Sequence, residues 1–495
     1  MRLSRLVACL KEKEIYYKGE EPDREIFSLS ADSRETETDS LFFCLTGGKT
    51  DGHAYAKEAV QNGAVAIVAE RKTDADVPHV LVKDTREALA TLSANFYGDP
   101  TQTLKVIGIT GTNGKTTTTH MLASILEAAG KKVGKIGTLG VSYEGKNYPA
   151  KLTTPDPISL QKTLADMFLR GVEYVVMEVS AHALYYKKTA GVRFVAGIFT
   201  NLTQDHLDFF ENMETYESAK KRLFSSDICP LAVLNGDEAA GRKFGQLRGE
   251  NTTRTKTVYY GLHTPADAFA VLTNETLQKS ECVLNINDQL CRASIPLTGR
   301  HNVYNALAAA ACAVELGVDI SSVAKGLSSM QGVKGRLEKI TKFNGADVFV
   351  DFAHTPDGLK KSLETLKGHC NNRLICLFGC GGNRDKEKRP IMGEIAAKKA
   401  DFTILTSDNP RYEDPLDIIT EIERGHRRFS MKYVVVPDRK KAMEYALDLV
   451  QEGDILLIAG KGGEEYQEIM GIKYSFNEND IIEKIIERKR KPFLL

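Results

Sequence analysis

The segment Gly111-Thr-Asn-Gly-Lys-Thr-Thr carries the strongest chemical signal in the sequence. It follows the apolar run Val106–Thr110 and precedes Met121, Leu122, Ile125 and Leu126 at helical spacing. A Gly-rich turn between a buried strand and a helix brings backbone N–H groups and a helix N-terminus to one point, which is how a chain binds phosphate. Gly111 and Gly114 permit close approach, Lys115 reaches the β- and γ-phosphates, and the Thr116 hydroxyl can ligate Mg²⁺. Thr112, Asn113 and Thr117 complete the expected ATP-binding loop. The spacing differs from G-x-x-x-x-G-K-[ST], because Ile109 stands five residues before Gly114.

Other polar residues follow apolar runs, where ligands bind outside the carboxyl ends of parallel strands. Glu178 closes Tyr-Val-Val-Met-Glu, with Ser180 and His182 just after it. Asp205, His206 and Asp208 share the loop after Val195–Phe199. Mg²⁺ prefers carboxylate, hydroxyl and water oxygens, so Glu178 beside Thr116 is a credible ligand pair. From spacing alone His206 reads as a loop histidine, and Lys220 and Lys221 as the solvated face of a helix.

These residues must be positioned by elements that alternate. Strand patterns at Lys105–Thr110, Lys132–Gly137, Tyr174–Val179 and Val195–Thr200 interleave with helical patterns at Ser159–Arg170 and Thr215–Phe224. The alternation predicts an α/β fold with a parallel sheet covered on both faces. It restarts after Gln331-Gly-Val-Lys-Gly-Arg, with strands at Asp347–Phe352, Arg373–Gly379, Phe402–Thr406 and Asp454–Ala459. Before it, short strands and a helix Thr85–Tyr97 fill residues 1–100, ending at the turn Tyr97-Gly-Asp-Pro. The expected division is 1–102, 103–333 and 334–495, all α/β, and 495 residues suit roughly three domains.

Composition removes several function classes. The 66 Lys+Arg balance 66 Asp+Glu, which gives none of the basic excess of a nucleic-acid binder. The longest apolar run, Ala306–Val314, is nine residues, against roughly 20 for a membrane span. The stretch Met1–Lys11 reads as an amphipathic helix rather than a signal peptide. Nine cysteines without a C-x-x-C pair read as reduced, buried thiols, and a cytoplasmic location is expected.

Taken together, these motifs resemble the Mur ligases. The resemblance rests on Gly111-Thr-Asn-Gly-Lys-Thr-Thr, Glu178-Val-Ser-Ala-His, Thr200-Asn-Leu-Thr-Gln-Asp-His, Tyr216-Glu-Ser-Ala-Lys, Gly299-Arg-His-Asn-Val-Tyr-Asn and Asp351-Phe-Ala-His-Thr-Pro. It runs from Ala31-Asp-Ser-Arg to Gly460-Lys-Gly. Thr153-Thr-Pro-Asp, Cys380-Gly-Gly-Asn-Arg-Asp-Lys, Asp408-Asn-Pro-Arg and Gly460-Lys-Gly-Gly-Glu look most like the member that adds the third amino acid of the peptidoglycan stem. The resemblance implies an N-terminal domain for the UDP-sugar, a P-loop ATPase-like central domain and a Rossmann-like C-terminal domain. It also implies a monomer with ATP as co-substrate and two Mg²⁺ sites.

The resemblance further implies roles for single residues. Lys115 and Thr116 would hold phosphate and Mg²⁺, with Glu178, His206 and a carbamylated Lys220 completing the metal sites. A lysine cannot bind a cation, whereas its carbamate can. Asn302, Asn305, Arg336, Asp351 and His354 would contact ATP. The UDP-MurNAc dipeptide would meet Ser33, Gly48, Lys49, Thr50, Thr153, Thr154, Ser180 and Lys188. Arg384, Asp408, Asn409, Pro410, Arg411, Gly460 and Glu464 would hold meso-diaminopimelate, the amino acid that goes with Asp-Asn-Pro-Arg in the family.

An arginine fork suits the distal carboxylate of diaminopimelate, which lysine lacks. Without the resemblance, Asp-Asn-Pro-Arg reads as a turn after a strand. The chain departs from the family at Gly463 (usually His), Asn383 (Asp), Ala181 (Ser), Lys188 (Arg) and Asn477-Glu-Asn-Asp (Asp-Asp-Arg). Those departures leave room for a related ligase adding L-lysine or another amino acid, or for a paralogue in specialised metabolism. A nucleotide-binding protein without turnover is a third reading, which the intact Lys115, Thr116, Glu178, His206 and Lys220 set disfavours.

Overall fold

A computed structural model describes residues 1–17, 23–48, 50–149 and 151–490. Lys49 lies outside the described residues. The chain forms three α/β units, each built on its own sheet. The first sheet has five strands, parallel except for Glu14–Tyr16, which runs antiparallel to His79–Leu81. Of the expected N-terminal helix only Leu3–Val7 forms. Leu3, Leu6 and Val7 are buried, and Lys11, Glu12 and Lys13 beyond them offer nothing apolar to bury.

The second sheet has eleven strands. At its centre Lys105–Thr110 lies parallel between Tyr174–Glu178 and Phe194–Phe199. These strands are near-continuous apolar runs because both faces are covered. One face packs under the helices Lys115–Ala128 and Arg300–Glu315, the other against Pro157–Leu169. The apolar run Ala306–Val314 belongs to Arg300–Glu315, where Ala306 to Ala313 are fully buried and small enough to seat that helix closely. No described helix is long and apolar enough to cross a membrane.

The parallel arrangement is confined to the middle of this sheet. Its edges are antiparallel, with Ala268–Glu275, Ser280–Ile286 and Gln289–Ile295 on one side and Gly140–Tyr143 and Lys146–Tyr148 on the other. Short hairpin loops dictate this, since parallel strands need long crossovers. The expected helix Thr215–Phe224 forms as Met213–Lys221 followed by a 3₁₀ turn, Arg222–Phe224. The Asn212 carboxamide caps it by accepting from the Thr215 N–H.

The third sheet has six strands, in which Ala346–Asp351, Ile455–Ala459, Leu374–Phe378, Phe402–Leu405 and Tyr433–Val435 lie parallel side by side. A separate hairpin, Tyr466–Ile469 with Ile472–Ser475, stands beyond its carboxyl ends.

Candidate active site

Strand order brings the phosphate loop together with two other loops. Because Lys105–Thr110 lies between Tyr174–Glu178 and Phe194–Phe199, the Gly111 turn emerges between Glu178 and Thr200. The Thr112 N–H donates to the Asn201 carbonyl at 2.9 Å, and the Asn113 N–H to Asn201 Oδ1 at 2.9 Å. Lys115 Nζ lies back over the loop, donating to the Gly111 and Thr112 carbonyls at 2.9 and 2.8 Å.

Both glycines are required by geometry. Gly114 has φ +85°, and a Cβ there would stand 2.4 Å from Asn305 Oδ1. Gly111 has φ +150°, and its Cβ would stand 1.9 Å from Thr200 Oγ1. Strain of this kind costs on the order of 1–3 kcal/mol, so Gly114→Ala is expected to weaken ATP binding about ten- to hundredfold. Titration with a fluorescent ATP analogue checks this, and an unchanged Kd would remove the loop from the nucleotide site.

Glu178 is 1% exposed, and its carboxylate accepts from Thr116 Oγ1 at 3.0 Å, the Thr138 N–H at 2.8 Å and Thr138 Oγ1 at 3.2 Å. Its space depends on Gly137, where a Cβ would lie 2.2 Å from Glu178 Oε1. Thr153 joins through Thr138 Oγ1 at 3.1 Å. Thr154 Oγ1 donates to the Glu178 carbonyl at 2.9 Å and accepts from the Ser180 N–H at 3.0 Å. Of the residues the resemblance gives to the dipeptide, Thr153, Thr154 and Ser180 meet at Glu178, and Lys188 is half-buried.

Lys220 differs most from its spacing-based reading. It is 1% exposed rather than solvated, because Tyr216 and Ala219 on the same helix turn are packed against Phe210 and Ala181. Its Nζ lies 4.2 Å from the Tyr216 ring centroid, and among the described residues it forms no ion pair. Burial, reinforced by the charge of Lys115, holds this amine well below the usual lysine range. A neutral amine is the form that can add to CO₂ and become a carbamate.

His206 adopts φ +58° and stacks edge-on against His182, ring centroids 4.8 Å apart. Burial lowers its imidazole to about 3, so it is neutral and able to ligate a metal. Asp205 beside it is almost fully buried and lies 3.3 Å from His206 Nε2, 3.7 Å from His354 Nε2 and 3.4 Å from Lys388 Nζ. Burial alone would raise the Asp205 carboxyl, but the hydrogen bond with His354 and the charge of Lys388 hold it well below the carboxylate range.

Thr116, Glu178, neutral His206 and the Lys220 amine thus supply one hydroxyl, one ready carboxylate, one imidazole and one latent carboxylate. Among the described residues no group of three or more His, Cys, Asp or Glu forms a protein-only metal cage. This sparse, oxygen-rich set fits Mg²⁺, which keeps waters and takes substrate phosphate oxygens.

The third α/β unit closes over this centre. Arg336 Nη2 donates to Thr116 Oγ1 at 3.1 Å, and its guanidinium lies 4.3 Å from the Phe352 ring centroid. Asn113 Nδ2 donates to Asp357 Oδ2 at 3.0 Å, and Gln204 Nε2 to Asp385 Oδ2 at 3.2 Å. Between the units lies a cavity of about 940 Å³ lined by the loop 112–117, Glu178, His206, Asn302, Asn305, Arg336, Asp351 and His354. Asp351 faces it while accepting from the Leu337 and Ala353 N–H groups at 2.6 and 2.8 Å.

The Asp-Asn-Pro-Arg and Gly-Lys-Gly-Gly-Glu segments meet at a second centre. Asn409 Nδ2 donates to Glu464 Oε2 at 3.0 Å, and its Oδ1 accepts from Lys461 Nζ at 2.8 Å and the Glu468 N–H at 3.0 Å. Arg411, at φ +53°, gives Nε to Glu468 Oε2 at 3.1 Å and Nη1 to the Gly382 carbonyl at 2.8 Å. Gly460 leaves room for Asp408, since a Cβ there would stand 2.6 Å from Asp408 Oδ2. That oxygen is buried without a hydrogen-bond partner. Pro410 is buried between Asn409 and Arg411, and Arg384 Nη1 donates to the Asn383 carbonyl. Asn383 holds the turn by accepting from the Tyr412 N–H at 3.0 Å.

The N-terminal residues stand apart from both centres. Ser33 is buried and donates to Glu58 at 3.1 Å, while Gly48 and Thr50 are exposed. Spacing placed Asp205 in the right loop but missed Asn201, Lys388, Lys461 and Glu468, all of which act through partners distant in sequence. Asp237 was also missed, although it follows the strand Leu231–Asn235 at a carboxyl end. It accepts from Tyr304 Oη at 2.7 Å and from three N–H groups of residues 262–264, fixing the cavity's far wall.

Comparison with known proteins agrees with this layout. Residues 25–97, 109–313 and 335–462 match the Mur ligase catalytic, middle and glutamate ligase domains respectively. The chain is 41% identical to UDP-N-acetylmuramoyl-L-alanyl-D-glutamate--2,6-diaminopimelate ligase of Bacillus licheniformis, over 98% of this chain and 99% of that one. It is 42% identical to the same-named ligase of Geobacillus kaustophilus, over 98% and 97%. A solved structure of a ligase of that name superposes with TM-score 0.68 at 31% identity, covering 94% of this chain and 96% of the other. A folylpolyglutamate synthase from Mycobacterium tuberculosis shares the fold, with TM-score 0.63 at 17% identity over 76% and 92%. The phosphate loop between Glu178 and Thr200, the unit closing over it and the near-full-length relatives lead to one conclusion: the chain belongs to the Mur ligase family, ATP-dependent amide ligases that add an amino acid to a UDP-MurNAc peptide in cell-wall synthesis.

Proposed function

We propose that this ligase adds meso-diaminopimelate to UDP-N-acetylmuramoyl-L-alanyl-D-glutamate in the cytoplasm, acting as a monomer. Residues 1–102 would take the UDP-sugar, 103–333 ATP and 334–495 the incoming amino acid. The observation that carries the choice of amino acid is Arg411. Glu468 and the Gly382 carbonyl fix its guanidinium, while the partnerless Asp408 oxygen and Glu464 stand in the adjoining segments. A fixed cation beside carboxylates suits a substrate end that carries both a carboxylate and an ammonium.

In the reaction the D-glutamyl carboxylate attacks the γ-phosphorus of ATP, ADP leaves, and an acyl phosphate forms. The amine then attacks the acyl carbon, phosphate leaves, the nitrogen loses a proton, and the amide remains. Thr116, Glu178, His206 and a carbamylated Lys220 would hold Mg²⁺, which would neutralise the phosphoryl charge when bound. Lys115 exchanges its two loop carbonyls for phosphate oxygens, and Arg336 adds a second cation from the closing unit. Asn302 and Asn305 bound the nucleotide side, and closure of the third unit excludes water from the acyl phosphate.

The test is ADP release with the UDP-dipeptide and diaminopimelate, lysine, ornithine or no amine. Diaminopimelate is expected to drive turnover well above lysine. Equal rates with both would refute the selectivity, and no amine-dependent release would favour a paralogue with other substrates.

A further inference from the structure

Beneath the amino-acid centre lies an ion pair that none of the site motifs contains. Arg439 and Glu478 are both fully buried, 0% exposed at the side chain. Arg439 opens the helix Arg439–Leu449 and Glu478 the helix Glu478–Arg490. Glu478 Oε1 accepts from Arg439 Nε at 2.7 Å and lies 2.7 Å from Nη2 as an ion pair. Two further guanidinium hydrogens go to backbone carbonyls: Nη1 donates to Ser407 at 3.2 Å and Nη2 to Ala459 at 2.8 Å.

Those carbonyls belong to the peptide planes Ser407–Asp408 and Ala459–Gly460. Each plane is the last rigid unit before one amino-acid loop. A carbonyl fixed in a planar peptide also fixes the N–H and Cα that follow it. One guanidinium therefore sets where Asp408 and Gly460 begin, at strand ends that a third strand, Leu374–Phe378, keeps apart. Only a planar fork with several donors can span both planes at once.

We propose that the Arg439–Glu478 pair is a positioning device for the incoming amino acid, through which the C-terminal helix sets the two loops that hold it. Glu478 has a specific task in this arrangement. Asp408 Oδ2 is a buried acceptor without a partner, and Arg439 is among its charged neighbours. Glu478 engages Arg439 on its Nε edge and keeps that cation from collapsing onto Asp408, which is left for the ammonium of the substrate. Removing the charge of Glu478 leaves a buried arginine uncompensated, and Asp408 is the carboxylate available to it.

The proposal deepens the site reading, since it places the incoming amino acid at 408–411 and 460–464, but does not depend on which amino acid is added. The experiment measures kcat and the three substrate KM values by ADP release for wild type, Glu478→Gln, Arg439→Lys, Glu478→Asp and Asp408→Asn, using whichever amine wild type turns over fastest. Glu478→Gln and Arg439→Lys are expected to raise the amine KM by about tenfold or more, with the KM for ATP unchanged. Glu478→Asp, which keeps the charge, lies closer to wild type. An unchanged amine KM in Glu478→Gln, with Asp408→Asn raising it, overturns the proposal and leaves the site reading intact. An unchanged amine KM in both overturns both. Equal rises in all three KM values with a fall in Tm mean a purely structural pair, and also overturn it. Should Glu478→Gln fail to fold, Arg439→Lys against Glu478→Asp gives the same comparison.

Discussion

Lys220→Ala is expected to lose ligation by about a hundred- to thousandfold in kcat, the range seen when one charge-stabilising group is removed from a transition state. ATP binding is expected to persist, because the loop 111–117 makes its contacts with Asn201 and Thr200 rather than with Lys220. The reason lies in the lysine's surroundings. Nζ is buried over the Tyr216 ring, burial and then the charge of Lys115 lower its proton affinity, and the charge of Asp205 offsets them only in part. An ammonium is poorly stabilised there, whereas a carbamate answers the positive charge of Lys115 and supplies a metal ligand. ¹³C NMR in labelled bicarbonate is expected to show a carbamate signal in wild type that Lys220→Ala lacks. Full turnover in the variant would exclude the carbamate from the mechanism.

Arg411→Lys is the second substitution of large effect. Its Nε edge is held by Glu468 and one Nη1 hydrogen by the Gly382 carbonyl, which leaves the terminal edge of the guanidinium for substrate. A lysine keeps the charge but cannot satisfy Glu468, Gly382 and a carboxylate together. The KM for diaminopimelate is expected to rise by about a hundredfold, in line with a loss of roughly 3 kcal/mol for a broken buried charge pair. The KM for lysine is expected to change little, so discrimination between the two collapses. Competition with equimolar amines, read by product mass, checks this. Retained discrimination would move the specificity to other residues.

Sequence patterns reached the phosphate loop because its physics is local: strand, glycines, lysine and helix follow one another within about twenty residues. The central strands were legible for the same reason, as apolar runs buried on both faces. The antiparallel edges of the second sheet were not, since 268–295 alternates weakly and its pairing is set by loop length. Lys220 was misjudged from spacing because helix periodicity gives a face, not what covers it. The helices Ala181–Tyr185 and Leu207–Phe210 pack on its face through Ala181 and Phe210, and a side chain that reads as solvated is buried. Asp205 and Lys388 are 183 positions apart, and only closure of two units brings them within 3.4 Å. Ser33, Gly48 and Thr50 came from the resemblance alone, and among the described residues no hydrogen bond or ion pair joins them to the ATP centre.

The departures from the family pattern have local explanations. Asn383 accepts from the Tyr412 N–H through Oδ1, an oxygen that aspartate also carries, so the turn survives the exchange. At Gly463 a Cβ would lie 3.0 Å from Leu139 Cδ2, close beside the backbone contact between Gly335 and residues 462–463. Histidine there would require Leu139 to give way by a few tenths of an ångström. Glu478 stands in the segment Asn477-Glu-Asn-Asp and keeps an acid opposite Arg439.

The central claim is that ATP activates the glutamyl carboxylate as an acyl phosphate before the amine attacks. The UDP-dipeptide labelled with ¹⁸O in that carboxylate tests it directly, in a reaction with ATP and diaminopimelate analysed by mass spectrometry of the phosphate. Transfer of one carboxylate oxygen to each phosphate released is the predicted result, together with a tripeptide product. Phosphate free of label, formed alongside product, would contradict it.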